Sequence, residues 1–189
     1  MYRLKITPLL TILLITSFAL CSAFGQDPER YHDVVNATLQ SALEKHPKSP
    51  IIFTGSAHLN GLSDLDDLPD RAEILDLGFE GSQTSDLIYF ANELVLSHKP
   101  SKIFIYEGDN DLAEGKSVDI VLADMKTLFH VIRRQLPDTP IYLTSPKPSP
   151  ARLALRPKYE ELNYLLSYLC PERDITFINL WDEMIDEFG

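Results

Sequence analysis

A chain of 189 residues suits one domain, and a hydrophobic share of 44% with 24% charged residues can bury a core, which excludes a disordered chain. A formal net charge of −11 without a basic patch argues against nucleic-acid and anionic-membrane binding. With only Cys21 and Cys170, and no Cys/His cluster at zinc spacing, neither a disulfide framework nor a metal site is expected, and no cofactor is called for.

The first 25 residues differ from the rest. Arg3 and Lys5 precede an almost wholly apolar stretch from Ile6 to Leu20, and Ala23-Phe24-Gly25 places small residues ahead of a cut before Gln26. That is the layout of a secretory signal peptide, and the apolar run is shorter than the ~20 residues a spanning helix needs. The expectation is export to the periplasm or secretion, with cleavage near Gly25–Gln26 and no membrane association afterwards. Without Arg3 and Lys5 the balance becomes 15 basic against 28 acidic residues, a net of −13, and Cys170 is the remaining cysteine.

The chain therefore divides into a signal peptide over 1–25, an N-terminal helix within 26–49 and a domain over 50–189. Tyr31, Val34, Val35, Leu39 and Leu43 recur near helical spacing and predict a helix from Pro28 to His46, ended by Pro47 and Pro50. Five β-rich runs follow: Ile51–Thr54, Glu73–Leu77, Lys102–Tyr106, Ile141–Thr144 and Ile175–Asn179. Each is a compact apolar block, as in strands buried on both faces. Helical patterns lie between them at Ser85–Ser97, Ser117–Gln135 and Pro157–Leu169, while the connection after the first run is short and carries Leu59, Leu62, Leu65 and Leu68. Alternating strands and helices predict an α/β fold with a five-stranded parallel sheet and right-handed crossovers, and functional residues at the carboxyl edge.

At that edge the first strand runs into Gly55-Ser56-Ala57-His58, the second into Gly78-Phe79-Glu80-Gly81-Ser82-Gln83-Thr84-Ser85-Asp86, and the third into Glu107-Gly108-Asp109-Asn110-Asp111. These three segments resemble blocks I, II and III of the SGNH (GDSL-type) hydrolases, an esterase and lipase family, and Lys147-Pro148-Ser149-Pro150-Ala151-Arg152 resembles a stretch of the same bacterial subgroup. The resemblance spans about residues 50 to 189. It implies a three-layer α/β/α, flavodoxin-like fold with strand order 2-1-3-4-5, and acyl-ester hydrolysis by descent. It also implies an oxyanion hole from Gly81 and the Asn110 side chain, because a tetrahedral oxyanion needs preplaced donors.

Two positions depart from the family pattern. The nucleophile position, two residues after Gly55, is Ala57, and a methyl group cannot attack. None of the five histidines stands in an Asp-x-x-His, and Leu180 to Gly189 carries no histidine. The expectation is a degenerate member, incomplete at its C-terminus without its final helix, inactive as an enzyme, and either ligand-binding or a truncated gene product. The ligand would be a small acyl ester or acylated sugar, met by Gly55, His58, Gly108, Asp109 and Asp111, and an uncovered sheet face would favour self-association. The alternative is a working serine ester hydrolase on acylated sugars or lipids, with Ser56 as nucleophile and His58 or a partner's histidine as base; a carbohydrate-binding module is a third reading.

Several residues carry plainer readings. Gly81 as a turn glycine and Asn110 as a helix cap are the plainer alternatives, and their neighbours favour the site reading; Ser82, Thr84 and Ser85 read as caps of the helix near Asp86. Trp181 and Tyr106 read as core, Arg152 and Arg156 as exposed arginines, and Asp64 to Asp67 as a solvated turn.

Overall fold

The structure is a computed structural model, and it describes residues 27–43, 47–56, 73–147 and 149–184. The expected signal peptide, Ala57, His58 and the acidic run 64–67 lie outside the described residues.

A 3-10 turn, Pro28–Tyr31, leads into α1 (His32–Leu43). Then come β1 (Ile51–Gly55), β2 (Ile74–Gly78), α2 (Thr84–Tyr89), α3 (Ala91–Leu94) and β3 (Lys102–Tyr106). After these follow α4 (Asp109–Ala113), α5 (Val118–Gln135), β4 (Ile141–Thr144), a 3-10 helix at Pro150–Leu155, α6 (Arg156–Glu172), β5 (Thr176–Ile178) and α7 (Trp181–Met184). The strands are all parallel in the order β2-β1-β3-β4-β5, as the resemblance implies.

The single helix expected over Ser85–Ser97 is broken into α2, α3 and a 3-10 turn at Leu96–His98. The run from Lys102 to Tyr106 and that from Ile141 to Thr144 are strands over the expected residues. Ser117 caps α5, its side chain accepting from the Ile120 N–H, which is why that helix starts where the sequence changes from polar to apolar.

Alternation along the strands sorts the sheet into two faces. Ile52, Leu75, Leu77, Ile103, Ile105, Ile141 and Leu143 are buried in one cluster with Val35 of α1, Leu87 of α2, Met125, Leu128 and Phe129 of α5, and Leu162 and Leu166 of α6. Each fully buried Leu or Ile contributes roughly 1.5–3 kcal/mol of transfer free energy, so this layer holds the fold together. The opposite face carries a half-buried aromatic row in which Phe53 stacks on Phe104 at 4.5 Å and Phe104 on Tyr142 at 4.6 Å. A second helical layer on that face, which the resemblance implies, is not among the described elements.

One glycine is demanded by close approach. Gly55 sits between Gly78 and Tyr106 in register, at φ +113°, and a Cβ there would lie 2.1 Å from the Tyr106 carbonyl oxygen. Only glycine lets β1 turn off the sheet against β3 at this point, and the turn delivers Ser56 to the carboxyl edge.

Candidate functional site

The three segments meet at the carboxyl ends of β1, β2 and β3. Backbone bonds pin them together: the Ser56 N–H donates to the Tyr106 carbonyl (2.8 Å) and the Phe79 N–H to the Gly55 carbonyl (2.9 Å). The Ser56 side chain is largely buried, and its Oγ reaches Asp109 Oδ1 at 3.1 Å and the Tyr106 carbonyl at 3.5 Å.

After β2, Gly81 takes φ +84°, a turn conformation that other residues adopt only with strain, and the Tyr31 hydroxyl lies against it. Tyr31 also meets Phe79 edge-on at 5.2 Å, and Arg30 pairs with the buried carboxylate of Asp86 at 2.9 Å. The N-terminal turn is thus docked on the second segment, which the sequence did not reveal. The serines and threonine of this segment do not cap α2 as expected. Asp86 does, accepting from the Gln83 N–H at 2.9 Å, because Ser82 Oγ is spent on Glu107 (2.7 Å), Thr84 Oγ1 on Asp111 (3.2 Å), and Ser85 Oγ accepts from Lys116 (3.2 Å).

After β3, Gly108 turns at φ +105° into α4, and a Cβ there would press on Leu162, Pro146 and Met125. It is buried and packs against the core. Asp111 departs from its expected ligand role. It is fully buried, and its carboxylate accepts from the Thr84 N–H (3.0 Å) and Oγ1 and from Lys116 Nζ (2.8 Å). Lys116 bridges on to Asp124 at 2.9 Å. Burial alone would depress the Lys116 pKa, but the two carboxylates outweigh it and raise the ammonium above its ordinary range.

Asp109 and Asn110 do reach the site edge. Asn110 Nδ2 donates to the Ser82 carbonyl at 3.0 Å, which places it beside Gly81. Arg152 spans both neighbours, NH1 to Asp109 Oδ2 at 2.7 Å and NH2 to Asn110 Oδ1 at 2.8 Å. Arg152 is therefore part of the site and not a free surface arginine. The signal that could have found it was its place in the Lys147-to-Arg152 stretch. Arg156, by contrast, pairs with Glu160 on the exposed side of α6.

Beneath these groups Glu107 is wholly buried, with Oε1 accepting from Ser82 and Oε2 without a partner. Burial first, then the nearby Asp111, holds its carboxyl well above the ordinary carboxylate value, against the opposing Ser82 hydrogen bond. The described histidines are elsewhere: His32 bonds Asn36, His98 bonds the Glu93 carbonyl, and His130 is exposed on α5. Cys170 is buried in the core, its thiol pushed up to about 12 by burial, so it offers no thiolate at neutral pH. Among the described residues no group of three metal-ligating side chains is arranged to hold an ion.

A five-stranded parallel sheet in this order, with helices between its strands, matches the α/β fold of SGNH hydrolases. The chain belongs to the GDSL-like Lipase/Acylhydrolase family, whose profile matches residues 63–189. No curated protein matches it. Among solved structures, a Streptococcus pneumonia protein described as a candidate platelet activating factor is similar at 18% identity and TM-score 0.67, over 97% of this chain and 86% of that one. A GDSL-like lipase from Bacteroides thetaiotaomicron is similar at 20% identity and TM-score 0.64, over 85% and 82%. A variant of an acetyl-xylooligosaccharide esterase from Geobacillus stearmophilus is similar at 16% identity and TM-score 0.58, over 73% and 78%. Likeness at these identities concerns the fold alone.

Proposed function

We propose that this chain is a non-hydrolytic member of its family that binds a neutral acyl-ester ligand, an acylated sugar or lipid, against the Asn110 amide. The observation that carries the reading is the pairing around Ser56 and Asn110. The Ser56 hydroxyl donates a hydrogen bond to a carboxylate already paired with Arg152, while the Asn110 amide is held as a donor beside Gly81. The residue after Ser56 is Ala57, which has no nucleophilic atom. In a serine hydrolase, loss of the nucleophile alone costs about 10⁶ in kcat. A donor site without a nucleophile still recognises a carbonyl oxygen, because recognition needs only the preplaced N–H.

The fold shared with an acetyl-xylooligosaccharide esterase suggests the first ligand to try. Calorimetry should detect an acetylated xylo-oligosaccharide but not its deacetylated form, with binding weakened about tenfold by Asn110→Ala, the order of one hydrogen bond. Hydrolysis of p-nitrophenyl acetate should not exceed that of a denatured control. Hydrolysis above the control that vanishes in Asn110→Ala, or labelling of Ser56 by a fluorophosphonate probe, overturns the reading and makes the chain a working serine ester hydrolase.

A further inference from the structure

The geometry points to Arg152 as the positioning residue that fixes Asn110 as a hydrogen-bond donor at the carboxyl edge. A carboxamide has two nearly isosteric ends, one that donates and one that accepts. Either end could face the site, and only its partners decide. Here both partners are one-way groups. The arginine guanidinium has donors only, and it approaches Oδ1 at 2.8 Å; the Ser82 carbonyl accepts only, and it receives Nδ2 at 3.0 Å. Turning the amide over would set two donors against each other on one side and two acceptors on the other.

One Nδ2 hydrogen is used by Ser82. The second has no partner among the described residues, and it is the hydrogen a ligand oxygen would meet. Arg152 is itself anchored. Its NH1 pairs with Asp109 at 2.7 Å, and the Asp109 backbone carbonyl accepts from the Tyr159 hydroxyl at 3.2 Å. One planar fork thus spans two adjacent residues of α4. A lysine at 152 would place all its donors on one atom and so lacks the two separated, coplanar nitrogens that here meet Asp109 Oδ2 and Asn110 Oδ1. The charge of the fork is matched by Asp109, which suits a neutral carbonyl ligand better than an anion.

The inference rests on reading Asn110 as the ligand-facing donor, but its test needs no ligand. The full chain is labelled with ¹⁵N-asparagine and carbonyl-¹³C serine, and the Asn110 signal is assigned by its loss in Asn110→Ala. In the wild type a through-hydrogen-bond coupling from Asn110 Nδ2 to the Ser82 carbonyl is expected, and its absence overturns the proposal, whatever the variants do. In Arg152→Lys, which keeps the charge beside Asp109, the two amide hydrogens should move toward free-amide shifts and exchange about tenfold faster, the scale of one lost charge-assisted bond. The melting temperature should stay close to that of the wild type. Arg152→Ala should give the same signature with a lower melting temperature. If either variant folds with the Asn110 signals unchanged, Arg152 only tethers the Pro150–Leu155 turn and the proposal falls. The binding arm separates the two ideas. A shifted Asn110 signature with no affinity of the wild type for the acetylated xylo-oligosaccharide sinks the proposed function and leaves the role of Arg152 standing.

Discussion

The ends of β1 and β3 face the same site and are organised in opposite ways. In α4, after β3, three successive polar side chains are met by complementary partners: Asp109 by Arg152, Asn110 by Arg152 and Ser82, Asp111 by Thr84 and Lys116. After β1, on the proposed reading, Ala57 offers only a methyl group where the family attacks, and the neighbouring hydroxyl of Ser56 turns back to Asp109. The bonds that orient Asn110 come from the second segment and from the turn after β4, and neither passes through the β1 end. On the proposed reading, the donor half of the site is held by fold-stabilising contacts from Ser82 and Arg152.

Substitutions on either side sharpen this contrast, and the largest effect is expected where the two ends touch. Gly55→Ala places a Cβ at φ +113°, 2.1 Å from the Tyr106 carbonyl oxygen, with rigid backbone on both sides. The loss should be about 4 kcal/mol or more, read by urea denaturation, because neither strand can yield without breaking the β1–β3 register. A variant with the wild-type midpoint would mean that the strands do not approach as described.

Next in size is Lys116→Met, which strands the Asp111 carboxylate in the core beneath α4. Removing one partner of a buried pair costs about 3 kcal/mol, somewhat less here because Asp111 keeps Thr84 and Lys116 is partly exposed. The pH dependence has a definite sign. The Lys116 pKa is raised by folding, so its contribution is complete at neutral pH and is lost as pH rises beyond 10.5 through the raised value. Wild type and Lys116→Met should accordingly converge in stability at strongly alkaline pH.

Glu107→Gln is expected to stabilise. The folded Glu107 pKa lies above its ordinary 4.5, so the wild type loses stability as pH climbs from there through the raised folded value. Glutamine cannot ionise and still accepts from Ser82. The variant should match the wild type near pH 4 and exceed it at neutral and alkaline pH, with a flatter stability profile. Parallel profiles would show that Glu107 finds compensation for its charge.

Much of the fold was legible in the sequence, and the site was legible in part. Five apolar blocks, with helical patterns in three of the four gaps between them, read as parallel strands with crossovers, and the resemblance supplied their order. The segments after β1, β2 and β3 stood out because glycines and polar residues interrupted apolar runs. Partnerships could not be read. Arg152 lies 42 residues from Asn110, Ser82 25 residues from Glu107, and Arg30 56 residues from Asp86. A charge in a sequence reads as exposed until folding brings its counterion to it. For the same reason Asp111 read as a ligand contact. Its neighbours Gly108, Asp109 and Asn110 pointed to a site, and nothing local showed that the helical turn from Asp109 carries its carboxylate inward onto Thr84.

The smallest expected effect bears most directly on what the site does. Ser56→Ala removes a buried hydroxyl that donates to Asp109 Oδ1. The carboxylate keeps Arg152 on its other oxygen, so the cost should be about 1 kcal/mol, within reach of a careful denaturation curve. If Ser56 is a structural donor, the variant should bind the acetylated xylo-oligosaccharide as the wild type does, since Asn110 keeps both its partners. If Ser56 were a nucleophile, the same change would abolish any hydrolysis while leaving stability nearly untouched. The balance between that small stability loss and unchanged ligand behaviour distinguishes a serine that holds Asp109 in place from one poised to attack.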